Sequence, residues 1–389
     1  MNRRIFLKTS GLVLAGTALT PGVFARMALS STTKGRKTLV TIFQRGAVDG
    51  LNMIVPYAES GYYTARPSIA IPRPGKEGGA LDLDGFFGAH PALAPLIPYF
   101  KDKSAAFIHA AGSPDSTRSH FDAQDFMESG TPGVKSTRDG FLARALDGKS
   151  NRSPLSAVSM TSSLPRILAG SADAIAMTDI SRFSVSQNAD RFEQMYASSV
   201  SEAFEASKIL AAAGPSNLAP ANGAEYPRTS LGNALKQIAQ LIRSNVGLEV
   251  AFADVDGWDT HAGQGGSNGQ LANNLRQFAS AIAAFAKDLG SRMSDVVLVT
   301  TSEFGRTVRE NGNRGTDHGH GTVMMTLGGS IKGGKVYGRW PGLSSLYEGR
   351  DLAVTTDFRD VFASILTTHL GVTDIKRVFP RYEAKAVVG

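Results

Sequence analysis

The chain has 389 residues, 42% of them hydrophobic, a formal charge of +7 and no cysteine. That is enough apolar material for a large core, and the lack of cysteine excludes disulfides, thiolate metal ligands and a lipid-bearing cysteine. The basic excess contains no long Lys/Arg run, which argues against nucleic acid as a partner.

The first residues, MNRRIFLKTSGLVLAGTALTPGVFARMA, pair Arg3 with Arg4 ahead of a short apolar, Gly/Ala-rich stretch. This is the form of a twin-arginine export signal, with Asn2 where Ser or Thr is usual. Residues 11–19 are too short an apolar run to span a bilayer, and Val23-Phe24-Ala25 offers a small-residue cleavage site. Residues 1–25 are therefore expected to be a signal peptide recognised by the twin-arginine export machinery. The mature protein is expected in the periplasm or outside the cell, with no stable membrane span. Without Arg3, Arg4 and Lys8 the formal charge of +7 falls to +4, a mild bias that suits an anionic substrate.

Residues 37–43 (KTLVTIF) predict the first core strand, followed by QRGAVDGLN with Asp49 between Gly46 and Gly50. Residues 62–88 carry many Pro and Gly and predict an excursion over the surface. HPALAPLIPYF from His90 predicts a helix with Pro in its first turn. AAFIHA (105–110) predicts a strand, then the polar loop from Gly112 to Asp122, then a helix in AQDFMESG. Residues 150–179 hold short strand-like pieces (PLSAVSM, RILAG, AIAMT) that predict an edge hairpin or cap. Helices are predicted at 192–213 and 230–244, with a Pro/Asn/Gly-rich loop between them.

Residues 248–253 and 296–300 read as buried parallel strands, separated by a helix at 271–289 with a clear apolar stripe. Further strands are predicted at 322–327 and in KGGKVY, and Thr356-Asp357 caps a helix at 358–370 that ends at Gly371. Strands alternating with helices predict an α/β domain, a doubly wound, largely parallel sheet with helices on both faces. One such domain is expected over 37–389, with 150–226 as a smaller inserted cap.

The chemistry gathers after strands. In open α/β sheets ligands bind beyond the strands' carboxyl ends. One such loop offers Asp254, Asp256, Asp259 and His261; another offers Glu303, Arg306, Asp317, His318 and His320. Imidazole and carboxylate suit zinc and similar divalent ions, and carboxylates also suit manganese or calcium. The alternative for the set as a whole is solvated loop polarity plus helix caps, and any single member says less than their convergence. His90, His109 and His369 read as structural histidines.

RGAVDGLN, GSPDSTRSHFDAQDFMESG, DGWDTH, TSEFGRT and GTDHGHG, in this order behind the twin-arginine signal, resemble an uncharacterised exported bacterial family known chiefly as a domain of unknown function. That family is assigned to the alkaline phosphatase–sulfatase superfamily, and the resemblance spans nearly the whole mature chain. It implies an alkaline-phosphatase-like sheet and a metal site that hydrolyses phosphate or sulfate esters. Asp49 would match the superfamily's first metal ligand, and Asp259 and His261 its Asp…His set, with Asp256 a second candidate for the acid. Glu303 would begin its Asp-His pair, and His318 or His320 would supply the last ligand. Phe304 stands where that pair has its histidine, which puts the binuclear mechanism in doubt. Ser116 or Thr117 would be the nucleophile, with Ser119 as an alternative and the N-cap of the next helix as the structural reading. His120 follows at a spacing like that of superfamily nucleophile loops. Arg118 could hold a phosphate or sulfate in a bidentate pair or form a surface salt bridge, and Arg45 and Arg306 share that ambiguity. The lack of a cysteine and of a suitably spaced serine motif argues against a formylglycine sulfatase.

The expectation is an exported metal-dependent hydrolase of anionic esters, phosphoesters before sulfoesters, acting on a small molecule or a polymer. Zinc is the first choice of metal. The alternative is a non-catalytic member of the fold that binds an envelope polymer or a partner protein.

Overall fold

The computed structural model describes residues 36–147, 153–171, 174–180, 219–329 and 331–388. The expected signal peptide and the helix expected at 192–213 lie outside them, as does much of the expected cap. Twelve strands occur among the described residues: β1 (Thr38–Gln44), β2 (Ile54–Val55), β3 (Leu81–Asp82), β4 (Gly88–Ala89), β5 (Ala105–Gly112), β6 (Ala157–Ser159), β7 (Ala174–Ala176), β8 (Val250–Val255), β9 (Val296–Thr301), β10 (Thr322–Gly328), β11 (Val336–Tyr337) and β12 (Thr356–Asp357). Nine of them build one sheet in the order β11-β5-β10-β9-β1-β8-β6-β7, with β12 beside β5. β2, β4 and β3 form a small antiparallel sheet within the 62–88 excursion and its flanks.

β1 is central, parallel to β8 on one side and to β9 on the other. β10 alone runs against its neighbours β9 and β5. Its amino end therefore lies at the same sheet edge as the carboxyl ends of β1, β5, β8 and β9. The strand-like pieces after residue 150 depart from the expected hairpin. β6 and β7 pair in parallel and extend the main sheet past β8, and RIL is a 3-10 turn.

Alternation along each strand sends side chains to opposite faces. Val40, Ile42, Phe107, Ala251, Ala253, Leu298 and Met325 pack on one face beneath α3 (Ser230–Arg243) and α4 (Gln270–Leu289). Leu39, Phe43, Ile108, Val250, Phe252, Val297, Val299 and Met324 pack on the other, against α2 (Phe141–Leu146) and α5 (Phe358–Thr368). Helices thus cover both faces, and the doubly wound, largely parallel α/β architecture is realised. Asp357 caps α5 as expected, and Thr229 caps α3, each through a side-chain oxygen. His109 and His369 are buried and hydrogen-bond to the Ile54 and Thr38 carbonyls. No helix among the described residues is long and apolar enough to cross a membrane.

Phe252 is fully buried whereas Phe121 is 87% exposed. Phe252→Ala should cost about 3–5 kcal/mol of stability, and Phe121→Ala should stay within about 0.5 kcal/mol. Urea denaturation of both variants checks the pair.

Candidate metal centre

Four strand ends converge at one sheet edge. The β5 loop leads into α1 (His120–Ser129), whose N-cap Ser119 accepts from the Asp122 amide. That cap starts the helix at His120. The β8 loop brings Asp259 and His261, the β9 loop brings Glu303 and Arg306, and the approach to β10 brings Asp317 and His318. These loops touch backbone to backbone, and two glycines make that possible. A Cβ on Gly46 (φ +111°) would lie 2.7 Å from the Asp259 nitrogen, and one on Gly315 would lie 2.3 Å from the His261 carbonyl oxygen. Gly46, three residues before Asp49, thus admits the Asp259 loop.

His120, Asp259 and His318 each present a ligand atom within 4.8 Å of the others. His120 Nε2 lies 3.0 Å from His318 Nε2 and 3.6 Å from Asp259 Oδ2. His318 Nε2 lies 3.3 Å from Asp259 Oδ1. His261 adjoins the group, its Nε2 2.9 Å from His318 Nε2 and 3.0 Å from Asp259 Oδ1. Around a tetrahedral zinc ion, nitrogen and oxygen ligands stand roughly 3.3–3.5 Å apart. The observed separations bracket that value.

The opposite nitrogen of each ring already has an acceptor. His120 Nδ1 donates to Glu303 Oε1 (2.8 Å), His261 Nδ1 to Asp317 Oδ1 (3.1 Å) and His318 Nδ1 to the Arg118 carbonyl (2.9 Å). With Nδ1 engaged in all three, the Nε2 atoms of His120 and His261 both face His318 Nε2. Such an arrangement suits a proton or a metal ion between the rings.

The charges point the same way. Burial opposes ionisation of Asp259, but Arg306 and the histidines outweigh it and hold the carboxyl below its usual range. Burial likewise opposes ionisation of Glu303, and its hydrogen bonds to His120, Gln124 and Gly46 overcome it. Asp317 is held low by its hydrogen bond from Asn311, with His261 adding to it. Three ionised carboxylates thus contact the imidazoles, while Arg306 alone among the described cations bonds directly to one of them, through Asp259 at 2.7 Å. The imbalance matches one divalent cation. The donor set fits such an ion, and it opens to solvent on the side of Asp259, His261 and Asp317, whose side chains are 44%, 43% and 53% exposed.

Several expected roles change. Glu303, expected to bind metal, is fully buried and orients His120; its Oε1 accepts from the His120 ring, the Gly46 amide and Gln124, and its Oε2 from the Ser302 hydroxyl. Asp49, expected to bind metal, stands outside the cluster with Oδ2 taken by Arg66 Nη1 and Gln264 Nε2, each at 2.6 Å. His320, the third expected ligand to fall away, stacks on Tyr347 at 4.4 Å. It lies two residues from His318, so an extended segment would put both rings on one face; His318 instead reaches the cluster while His320 does not. His120, expected near the nucleophile, joins the metal cluster.

Ser116 is exposed, and Thr117 Oγ1 accepts from the Ser119 amide. Arg118 forms the salt-bridge alternative, reaching Glu348 and Asp351 at 2.6 Å each, so that its carbonyl rather than its guanidinium serves the site. Arg306 sits under Asp259, and Arg45 pairs with Asp254 and Glu128. Asp256 is exposed and outside the cluster. Sequence reasoning missed Arg66, Gln124 and Gln264. Only Gln124 had a legible signal, lying one helical turn after His120.

A family model described as "Protein of unknown function (DUF1501)" matches residues 87–386. The chain belongs to the DUF1501 family. No curated protein matches it. Similar solved structures include the C-terminal periplasmic domain of EcEptC from Escherichia coli in complex with Zn, at 10% identity and a TM-score of 0.38, covering 76% of this chain and 73% of that one. The lipoteichoic acid synthase LtaP from Listeria monocytogenes matches at 10% identity and a TM-score of 0.36, covering 88% and 74%. The PsFucS1 sulfatase from Pseudoalteromonas sp. matches at 12% identity and a TM-score of 0.36, covering 95% and 76%. At such scores no activity transfers to this DUF1501 member, and the chemistry rests on its own residues.

The hydrogen bond to Glu303 raises the His120 pKa above its ordinary 6.5 against the effect of burial, while burial lowers that of His318. A metal ion must therefore displace a proton from His120 at a pH where an ordinary imidazole is already free. Zinc affinity should fall by about tenfold per pH unit below the raised His120 value and level off above it. Zinc titrations from about pH 5.5 to 8.5 test this; a flat profile would remove His120 from the ligand set.

Proposed function

We propose that this protein is an exported, metal-dependent hydrolase of anionic esters, phosphoesters before sulfoesters, built around a zinc-type site. The convergence of three histidine Nε2 atoms and the Asp259 carboxylate carries the reading. The motif resemblance to the alkaline phosphatase–sulfatase superfamily supports it, as does the mild basicity of the mature chain. His120, His261, His318 and Asp259 would hold the ion, with manganese or calcium as the other candidates. When bound, the metal polarises the ester and stabilises charge on its leaving oxygen. Glu303, Asp317 and the Arg118 carbonyl hold the rings in register. Arg306 fixes Asp259, and the solvent-facing side admits the substrate. Ser116 or Thr117 supplies the attacking hydroxyl on this reading. The Arg3-Arg4 signal routes the folded protein through the twin-arginine machinery to the periplasm or beyond.

One observation favours a non-catalytic, metal-holding protein instead. Thr117 Oγ1 is engaged by its own loop, and neither it nor the Ser116 hydroxyl has a hydrogen bond to a cluster residue among those described. Metal content and turnover separate the two readings.

Elemental analysis should give one equivalent of divalent metal per chain, and His318→Ala should lose it together with hydrolysis of aryl phosphates. A wild-type protein that stays metal-free after zinc, manganese or calcium is added would sink the metal site; metal without turnover would favour the binding protein. The double variant Ser116→Ala with Thr117→Ala should keep its metal and lose activity by about a thousandfold. Full activity there would remove the covalent step.

A further inference from the structure

Behind the cluster lies a buried polar residue to which the proposed chemistry assigns no part. Gln264 is 0% exposed, and each half of its amide has a different task. Its Oε1 accepts from the Thr260 hydroxyl at 2.7 Å and the Thr316 hydroxyl at 2.8 Å. Its Nε2 donates to Asp49 Oδ2 at 2.6 Å. The amide cannot be reversed, because that would turn its oxygen against the Asp49 carboxylate.

Thr260 stands between Asp259 and His261, and Thr316 directly precedes Asp317 and His318. One carbonyl oxygen therefore ties together the two loops that carry three members of the metal cluster and the acid that orients His261. The loops also meet through their backbones, the Thr316 amide donating to the Thr260 carbonyl at 3.1 Å. Gln264 itself is fixed at both ends: its amide donates to the Arg314 carbonyl at 3.0 Å, and its carbonyl accepts from Leu271 at the start of α4 at 3.1 Å.

The anchor behind it is rigid. Asp49 Oδ2 is shared with Arg66 Nη1, and Arg66 is 0% exposed. Arg66 also donates to Asn52 Oδ1 and to the Val308 and Thr307 carbonyls, at 2.6, 2.9 and 2.9 Å. The last two belong to the segment between Arg306 and Asp317, so the anchor grips the second loop from behind as well.

We infer that Gln264, held by the buried Asp49–Arg66 pair, is the positioning residue that sets the spacing of His261 and His318 and so the affinity of the site for its metal ion. This rests on the metal reading above. It gives Asp49 a function in place of ligation: its charge is neutralised from inside by Arg66, and its free reach is used to orient an amide. Outer partners of metal ligands typically change affinity by about 10- to 100-fold when altered. Gln264 acts one step further out, but on two loops at once.

The experiment uses the full mature chain and two readouts. Gln264→Met keeps the volume and removes all three side-chain hydrogen bonds; Thr260→Val and Thr316→Val each remove one. Zinc affinity should weaken by about tenfold or more in Gln264→Met and by less in each threonine variant, and Gln264→Met should add little to the double threonine variant. In metal-free protein, nitrogen NMR of the imidazoles should show His261 and His318 leaving their single Nδ1–H tautomers in Gln264→Met. Wild-type zinc affinity and wild-type tautomers in a folded Gln264→Met would overturn the inference. Should Gln264→Met fail to fold, unchanged affinity and tautomers in both threonine variants overturn it equally. A wild-type chain that binds no zinc fails the metal reading alone, because the tautomer readout still decides the role of Gln264.

Discussion

Three imidazole Nε2 atoms gathered around the Asp259 carboxylate are the constraint from which the rest of this site follows. Rings at separations of 2.9 and 3.0 Å repel unless a proton or a metal ion lies between them. Each ring is nevertheless held in that orientation by an acceptor on its far side. Two of the acceptors are carboxylates and the third is a backbone carbonyl on a capped loop. Freed of those acceptors, the rings would rotate and hydrogen-bond to water. The fold therefore invests its outer contacts in an arrangement unfavourable by itself and favourable around a positive charge.

The sheet explains why the arrangement can form from such distant residues. His120, His261 and His318 belong to different crossovers, yet their strands β5, β8 and β10 all present the relevant end at one edge. β10 achieves this by running antiparallel, so a loop before a strand joins loops that follow strands. Reading 248–253 and 296–300 as buried parallel strands was enough to expect the crevice and to bring Asp259, His261 and His318 towards it. The direction of β10 was not legible, because an apolar run carries no information about which neighbour it pairs with. The parallel pairing of β6 and β7 escaped for the same reason.

What the sequence could not separate was a ligand from the residue that aims a ligand. Glu303 and Asp259 are both acids just past a buried strand, and only the fold shows that Glu303 points to a ring nitrogen rather than to the ion's place. His318 and His320 share one short motif, and only the fold shows that His318 joins the cluster while His320 stacks on Tyr347. Arg66 lay in a Pro/Gly-rich excursion with no periodicity to mark it, yet it is among the largest fully buried side chains. A buried cation is visible in a sequence only through its partner, and that partner, Asp49, carried a more familiar expectation.

Phe304 and Arg66 bear on the same question from opposite sides. Phe304 replaces a histidine in the pattern the chain resembles, and it is not a gap in the site. Its ring stacks on His120 at 5.0 Å and 28° and tilts against His318 at 5.1 Å, closing one side of the cluster with an apolar wall. Arg66 meanwhile pairs with Asp49 outside the cluster. At the cluster itself three carboxylates face one arginine, which leaves an excess of negative charge there. On the metal reading proposed above, an ion held on the solvent-facing side of the cluster is the arrangement that charge, sterics and hydrogen bonding favour here.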